Sequence, residues 1–205
     1  MSTREDLRRF YALDADHGAL GLAPWPEQSP RYFCTPEGAE IFGAPGVDGV
    51  HYVLLPGDER VFCVDPGMGE PGAYVLPVAE NFREFLAFLL YCRDESPLAQ
   101  ICRLDGEGFR KLLEENARNR WPACEEFFEK KNRALEAVQT AFALEPQDPF
   151  AKVKALQDAF DPAGLTFSNE YYDTLGLENP GGVSRPELSG TLFATVRMEV
   201  KEEKP

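Results

Sequence analysis

Two histidines limit the chemistry open to this chain. His51 is followed twelve residues on by Cys63, and Asp65 lies two beyond that. A thiol, an imidazole and a carboxylate are the parts of a nucleophilic relay, in which the base takes the thiol proton and the acid orients the base. Paired strands could bring these residues near one another. Against this, Cys63 falls inside the apolar run Val61-Phe62-Cys63-Val64, where a thiol is ordinarily buried and inert. His17 offers a second constellation, with Asp14 and Asp16 beside it. These are donors for a cation, but no fourth ligand follows at usable spacing, so no metal is expected.

Carboxylates are plentiful. Asp58-Glu59, Glu114-Glu115 and Glu125-Glu126 are adjacent pairs. Glycosidase chemistry needs two acids facing each other across a cleft, which adjacency does not supply, so these pairs are expected to be solvated surface groups. The segment Gly43 to Gly49 holds three glycines but no Lys-Ser/Thr and no G-x-G-x-x-G pattern. A phosphate cradle is not indicated, and neither is any cofactor.

Charge narrows the partners. Asp and Glu number 35 against 21 Lys and Arg, a net charge of −14 over 205 residues. The excess is spread along the chain, with 16 acids and 8 bases in residues 1–104 and 19 acids and 13 bases in residues 105–205. Such a chain repels phosphate backbones and anionic membranes, having no basic cluster larger than a pair such as Lys130-Lys131. A basic protein partner remains open. The start, Met1-Ser2-Thr3-Arg4-Glu5-Asp6, is charged and unlike a signal peptide. The longest strongly apolar run, Phe85–Cys92, is far short of the ~20 residues a membrane span needs. Five cysteines, an odd number with no C-x-x-C pair, suit reduced thiols and a cytoplasmic setting.

The elements that must position these groups follow from periodicity. Residues 4–13 suit a short helix with Leu7, Phe10 and Tyr11 on one side. Tyr32-Phe33-Cys34 and Glu40-Ile41-Phe42 are short strand candidates. Val50–Leu55 is the strongest, being β-branched and aromatic-rich. The turn Pro56-Gly57-Asp58-Glu59 leads to an antiparallel partner, Arg60–Val64, and Ala73–Leu76 is a further strand candidate. Asn81 with Glu84 marks a helix start, and Phe82, Phe85, Leu86, Leu89 and Leu90 recur at helical spacing to about Arg93. Ser96-Pro97, Asp105, Trp121-Pro122 and Asp148-Pro149 each open a further helix. The longest would turn Phe127, Phe128, Leu135, Val138 and Phe142 inward. Residues 164–177 suit helix or strand equally, and Leu192 to Val200 alternate like a half-buried strand.

Three segments carry a resemblance. Gly46-Val47-Asp48-Gly49-Val50-His51-Tyr52 leads to Val61-Phe62-Cys63-Val64-Asp65-Pro66, then to Val75–Leu86 with Ala79-Glu80-Asn81-Phe82-Arg83-Glu84-Phe85-Leu86. In this order they resemble the SUKH superfamily, which includes fungal glucan-synthesis regulators and bacterial immunity proteins. The likeness covers about residues 38–93. It implies a strand beginning after Asp48-Gly49, a second strand ending at Asp65-Pro66 and a helix beginning after Asn81. It also implies a binding protein rather than an enzyme. Bacterial members often neutralise a cognate toxin whose own substrate is polyanionic, so the toxin tends to be basic.

The expected fold is α+β: an antiparallel sheet of about four to six strands with helices packed on one side. One domain, 1–205, would hold a SUKH-like core at 30–104, a mainly helical extension at 105–190 and a C-terminal strand at 191–200. The expected function is an intracellular protein-binding module of the immunity type that neutralises a basic toxin. A regulator or scaffold of the same fold is the alternative, and a hydrolase using Cys63 and His51 the distant third. Asp48, Asp58, Glu59, Glu125 and Glu126 are the expected partner contacts.

Overall fold

Tight turns with glycine in left-handed geometry set the direction of each strand. The computed structural model describes residues 2–26, 29–68, 72–118 and 124–180. Strands β1 (Glu40–Gly43), β2 (His51–Leu54), β3 (Val61–Val64) and β4 (Val75–Ala79) form one antiparallel meander in chain order. Between β1 and β2, Gly49 has φ of 71°, and a side chain there would meet the Tyr32 ring at 2.5 Å. Only glycine fits both the backbone and the space. The β2–β3 register pairs His51 with Val64 and Leu54 with Val61, as the turn at 56–59 predicts. The motif segments thus form the strands and helix start expected of them.

Alternation sends the strands' side chains to two faces. Tyr52, Leu54, Val61 and Cys63 face one core; Val53, Phe62 and Val64 face another. The first core is organised by α2 (Phe82–Cys92), which is buried on almost every side. Asn81 caps it, its side chain accepting from the Glu84 N–H at 3.0 Å. A bulge at Phe42 in β1 turns that ring towards α2, edge-on to Phe82 at 5.5 Å and Phe85 at 6.1 Å. Helix α1 (Thr3–Tyr11) adds Leu7 and Phe10.

The remaining helices are α3 (Ser96–Gln100), α4 (Gly106–Arg118), α5 (Glu125–Phe142), α6 (Phe150–Asp158) and α7 (Asn169–Leu175). Phe109 from α4, Leu135, Val138 and Phe142 from α5 and Val153 from α6 belong to the same core as α2. The helical extension is therefore built onto the sheet-and-helix core. The sheet's second face is also covered. Phe160, Leu165, Phe167 and Tyr171 pack there, with Phe167 and Tyr171 stacked at 4.0 Å. The stretch 164–177 resolves into extended chain followed by α7.

Some expectations are corrected. Tyr32-Phe33-Cys34 is a turn, closed by the Thr35 N–H on the Tyr32 carbonyl at 2.9 Å, not a strand. The fourth strand runs on through Pro77 to Ala79 instead of ending at Leu76. It is an edge strand, where a missing N–H breaks no ladder, and Gln157 of α6 donates to the Pro77 carbonyl at 3.3 Å. Phe127 does not point inward; it is 45% exposed on the first turn of α5. Trp121-Pro122 and the expected strand 191–200 lie outside the described residues.

Phe85 is fully buried against Phe42, Tyr52 and Phe82. Phe85→Ala is expected to cost about 3–5 kcal/mol in denaturant unfolding, and Phe127→Ala less than about 1 kcal/mol. Comparable losses at the two positions would contradict this assignment of the core.

Candidate functional site

The relay is not assembled. Cys63 and His51 sit on neighbouring strands, but Cys63 faces the α2 side and His51 the other, its ring beside Tyr32 and Trp25. Cys63 is 4% exposed, and burial drives its thiol well above the ordinary range, so it holds its proton. His51 is buried and fully used. Its Nδ1–H donates to the Gly49 carbonyl at 2.8 Å, leaving Nε2 to accept from the Thr35 hydroxyl at 3.0 Å. Burial lowers its pKa, the Gly49 contact opposes this, and the Arg31 charge lowers it further. A neutral imidazole that pins a turn to the strand is a structural part. The fold therefore does not bring Cys63 and His51 together on one face of the sheet.

His17 is engaged as well. Its Nε2–H donates to the Phe10 carbonyl at 3.0 Å, between the Phe10 and Tyr11 rings. Asp16 caps the next turn by accepting from the Ala19 N–H at 2.9 Å. Among the described residues no group of three or more potential ligands could hold a metal ion. No described helix is long and apolar enough to cross a membrane. Cys34, Cys63 and Cys92 are buried, Cys102 is half-buried and Cys124 is exposed.

The five acidic contact residues occupy three places. Asp48 is exposed in the β1–β2 turn, where it holds a φ of 53°. Asp58 and Glu59 lie at the opposite end of β2. Asp58 clamps Arg60 through both carboxylate oxygens, at 3.1 and 2.7 Å, and the guanidinium lies over Phe62 and Phe160. That bonding holds the Asp58 carboxyl below its usual range although partial burial opposes it. Glu59 accepts from the Thr3 N–H at 2.6 Å, and its backbone carbonyl accepts from the Thr3 hydroxyl. Glu125 and Glu126 are exposed on the first turn of α5, and Glu126 pairs with Lys130 at 2.8 Å. The fold does not gather these acids into one patch.

A site the sequence did not indicate lies beside Asp48. A groove of about 620 Å³ opens between the β1–β2 turn, the corner at Asp65–Gly67 and α3. Val47, Val50 and Ala99 give it apolar walls, and the Asp65–Arg103 ion pair, at 3.0 Å, stands on its rim. Its most buried linings are Tyr52 and Glu95, the latter 6% exposed. The link between α2 and α3 builds this floor. Arg93 takes a left-handed conformation (φ 55°) and ends α2. Asp94 then accepts from the Ser96 N–H at 3.0 Å, and its other oxygen pairs with the buried Lys131 of α5.

Glu95 fixes this link. Its backbone carbonyl accepts from the Tyr52 hydroxyl at 3.0 Å. Its carboxyl lies against the backbone of Gly21, where any Cβ would come within 2.0 Å of Glu95 Cδ. Gly21 also has φ of 70°, so both geometry and space demand glycine. Burial first, and the charge of Asp94 second, push the Glu95 carboxyl up to about 8; Lys131 opposes them. The acid therefore carries its proton through most of the neutral range.

The linkage has a definite sign. Unfolded, Glu95 titrates near 4.5; folded, near about 8. The stabilising share of the extra proton is complete below the unfolded value and is lost as pH rises through the folded one. Glu95→Gln has no such proton to lose. Its melting temperature is expected to gain on that of the unsubstituted protein from about pH 5 to about pH 8.5, by ~5 °C. A difference that stays flat with pH would refute the buried-acid assignment.

No family model matches the chain, and no curated protein or solved structure matches it either, so the functional reading rests on its own residues.

Proposed function

We propose that this chain is a protein-binding module of the immunity type, whose acidic exterior holds a basic partner without making or breaking a bond. The carrying observation is the charge: −14 overall, with Asp48, Glu59, Glu125 and Glu126 presented at exposed positions. A field of that sign draws a cationic domain inward and raises its rate of encounter. The ordered likeness of residues 38–93 to the SUKH superfamily supports the same reading, since its bacterial members act by covering toxins. A basic nuclease or deaminase domain is the partner class this favours.

The test is binding to a basic toxin-type domain encoded beside the gene, followed by biolayer interferometry. Raising salt from about 50 to about 300 mM is expected to weaken the complex at least ~tenfold, mainly through association. Asp48→Lys, Glu125→Lys and Glu126→Lys together are expected to slow association in the same way. Asp58→Asn and Glu59→Gln are milder changes suited to positions that also bond Arg60 and Thr3. A tight complex indifferent to salt and to all five substitutions would remove the electrostatic basis of the proposal. Turnover of a substrate by the purified chain would end it.

A further inference from the structure

We infer that the α2–α3 link is a pH-gated hinge: when the Glu95 carboxyl loses its proton, residues 93–96 swing away from the turn at residues 17–22 while the rest of α3 stays docked. The event is local, and it stands or falls independently of the proposed partner.

The closed link leaves no place for a second negative charge. Glu95 is 6% exposed, and its carboxyl lies so near Gly21 that a Cβ there would meet both oxygens within 2.4 Å. On its other side is Asp94, with which it shares a hydrogen bond. Two carboxyl groups can share a hydrogen bond only while one of them keeps its proton. Asp94 is the one committed to the ionised state, since it accepts from the Ser96 N–H and pairs with the buried Lys131. Glu95 is therefore the proton's holder. Without that proton two carboxylates would face each other out of water, with one ammonium already engaged by Asp94. Moving Glu95 outward relieves this. The backbone favours the same motion, because Arg93 holds a left-handed φ of 55° that a residue with a Cβ adopts only at a cost. Beyond the link, Leu98 and Ile101 are fully buried, which anchors α3 and confines the movement to residues 93–96.

The groups facing Glu95 are Asp94 from the link, Lys131 from α5, Tyr52 from β2 and Cys63 from β3. Cys92, at the end of α2, lies near Asp94. Towards the groove, Arg103 is held by Asp65, and Asp48 stands on the rim. In the neighbouring turn Asp16 accepts from the Ala19 N–H, and His17 donates to the Phe10 carbonyl. Burial keeps Tyr52, Cys63 and Cys92 protonated through the neutral range. In the closed link Glu95 titrates near about 8; released into water it returns to 4.5. The advantage of the closed form is complete below the lower value, declines between the two and is lost as pH rises through the higher. Opening therefore grows by nearly ~tenfold per pH unit on the approach to the folded value and levels off above it.

The test is amide hydrogen exchange on the full chain, read by NMR from about pH 6 to about pH 9 and corrected for the intrinsic rate at each pH. Two amides report the link: that of Ser96, bonded to Asp94, and that of Leu98, which donates to the Glu95 carbonyl at 2.9 Å. The β3 ladder reports global unfolding. Protection at Ser96 and Leu98 is expected to be lower than in β3 and to fall at least ~tenfold from about pH 6 to about pH 8. The carboxyl carbon of Glu95 is expected to titrate near about 8 in the same sample. In Glu95→Gln, whose melting curve checks that it is folded, protection at the link is expected to stay flat over that range. That variant also separates Glu95 from His17, which it leaves untouched. The hinge is overturned if link protection is flat in the unsubstituted protein, if these two amides exchange no faster than β3, or if the pH dependence survives Glu95→Gln. Should that variant not fold, the unsubstituted protein decides alone: link protection must level off where the Glu95 carbon titrates, and levelling at any other pH rejects the hinge.

Discussion

Burial of α2 is the constraint on which the rest depends. Its apolar residues do not form a stripe; Phe82, Phe85, Leu86, Ala87, Phe88, Leu89 and Leu90 are all shielded. A helix apolar on every side must be enclosed on every side. The sheet closes one flank, α1 another, and α4, α5 and α6 much of the remainder. The extension after residue 104 is therefore part of the solution to α2: α6 lies beside Phe88, with the Lys152 ammonium over its ring. Each fully buried side chain of this size contributes about 1.5–3 kcal/mol, which outweighs the weak surface ion pairs on α4 and α5.

Enclosure of an apolar helix leaves its ends as the difficult places, because backbone groups there need partners away from water. At the first end, Asn81 and the Thr3 hydroxyl serve the N–H groups of Glu84 and Phe82. At the second end the link Arg93-Asp94-Glu95 turns sharply into α3, and its side chains are drawn inward with it. Glu95 is the consequence. An acid is buried there because the chain must pass between Tyr52, Gly21 and α5 at that point, and Asp94 with Lys131 makes the passage tolerable. The groove is the space outside that turn, so it grows directly from the way the central helix ends.

Local signals in the sequence were sufficient for this skeleton. Asn81 and Glu84 mark the start of α2, the glycine-bearing turns mark β2 and β3, and Asp105 and Asp148 mark later helices by accepting from nearby N–H groups. Where a feature depends on distant chain, the signal fades. Phe127 matches the helical period of α5, yet its neighbours on the first turn are exposed and the stripe begins only near Lys131. Pro77 looks like a strand end until the strand is known to be an edge. Cover for the sheet's second face comes from residues 160–175, whose mixed pattern declares neither helix nor strand. Glu95 looked like any surface acid, because its burial is created by Gly21 and Lys131, far away in the chain.

The same distinction separates the acids that shape the protein from those that face outward. Asp58 and Glu59 were expected contacts, but each is bonded inward, one to Arg60 and the other to Thr3, and so ties a sheet turn to its surroundings. Asp48 differs. It lies in a turn whose left-handed backbone disfavours any side chain, at a position where glycine would relax the turn. Asparagine and aspartate tolerate that conformation best, which explains a polar residue but not the choice of charge. Its neighbours across the groove supply a reason. With Arg103 neutralised by Asp65, a carboxylate at position 48 keeps the rim negative above an acid that is itself masked by a proton. A cation attracted to that rim gains only a weak, salt-screened interaction, since the charge at position 48 is exposed.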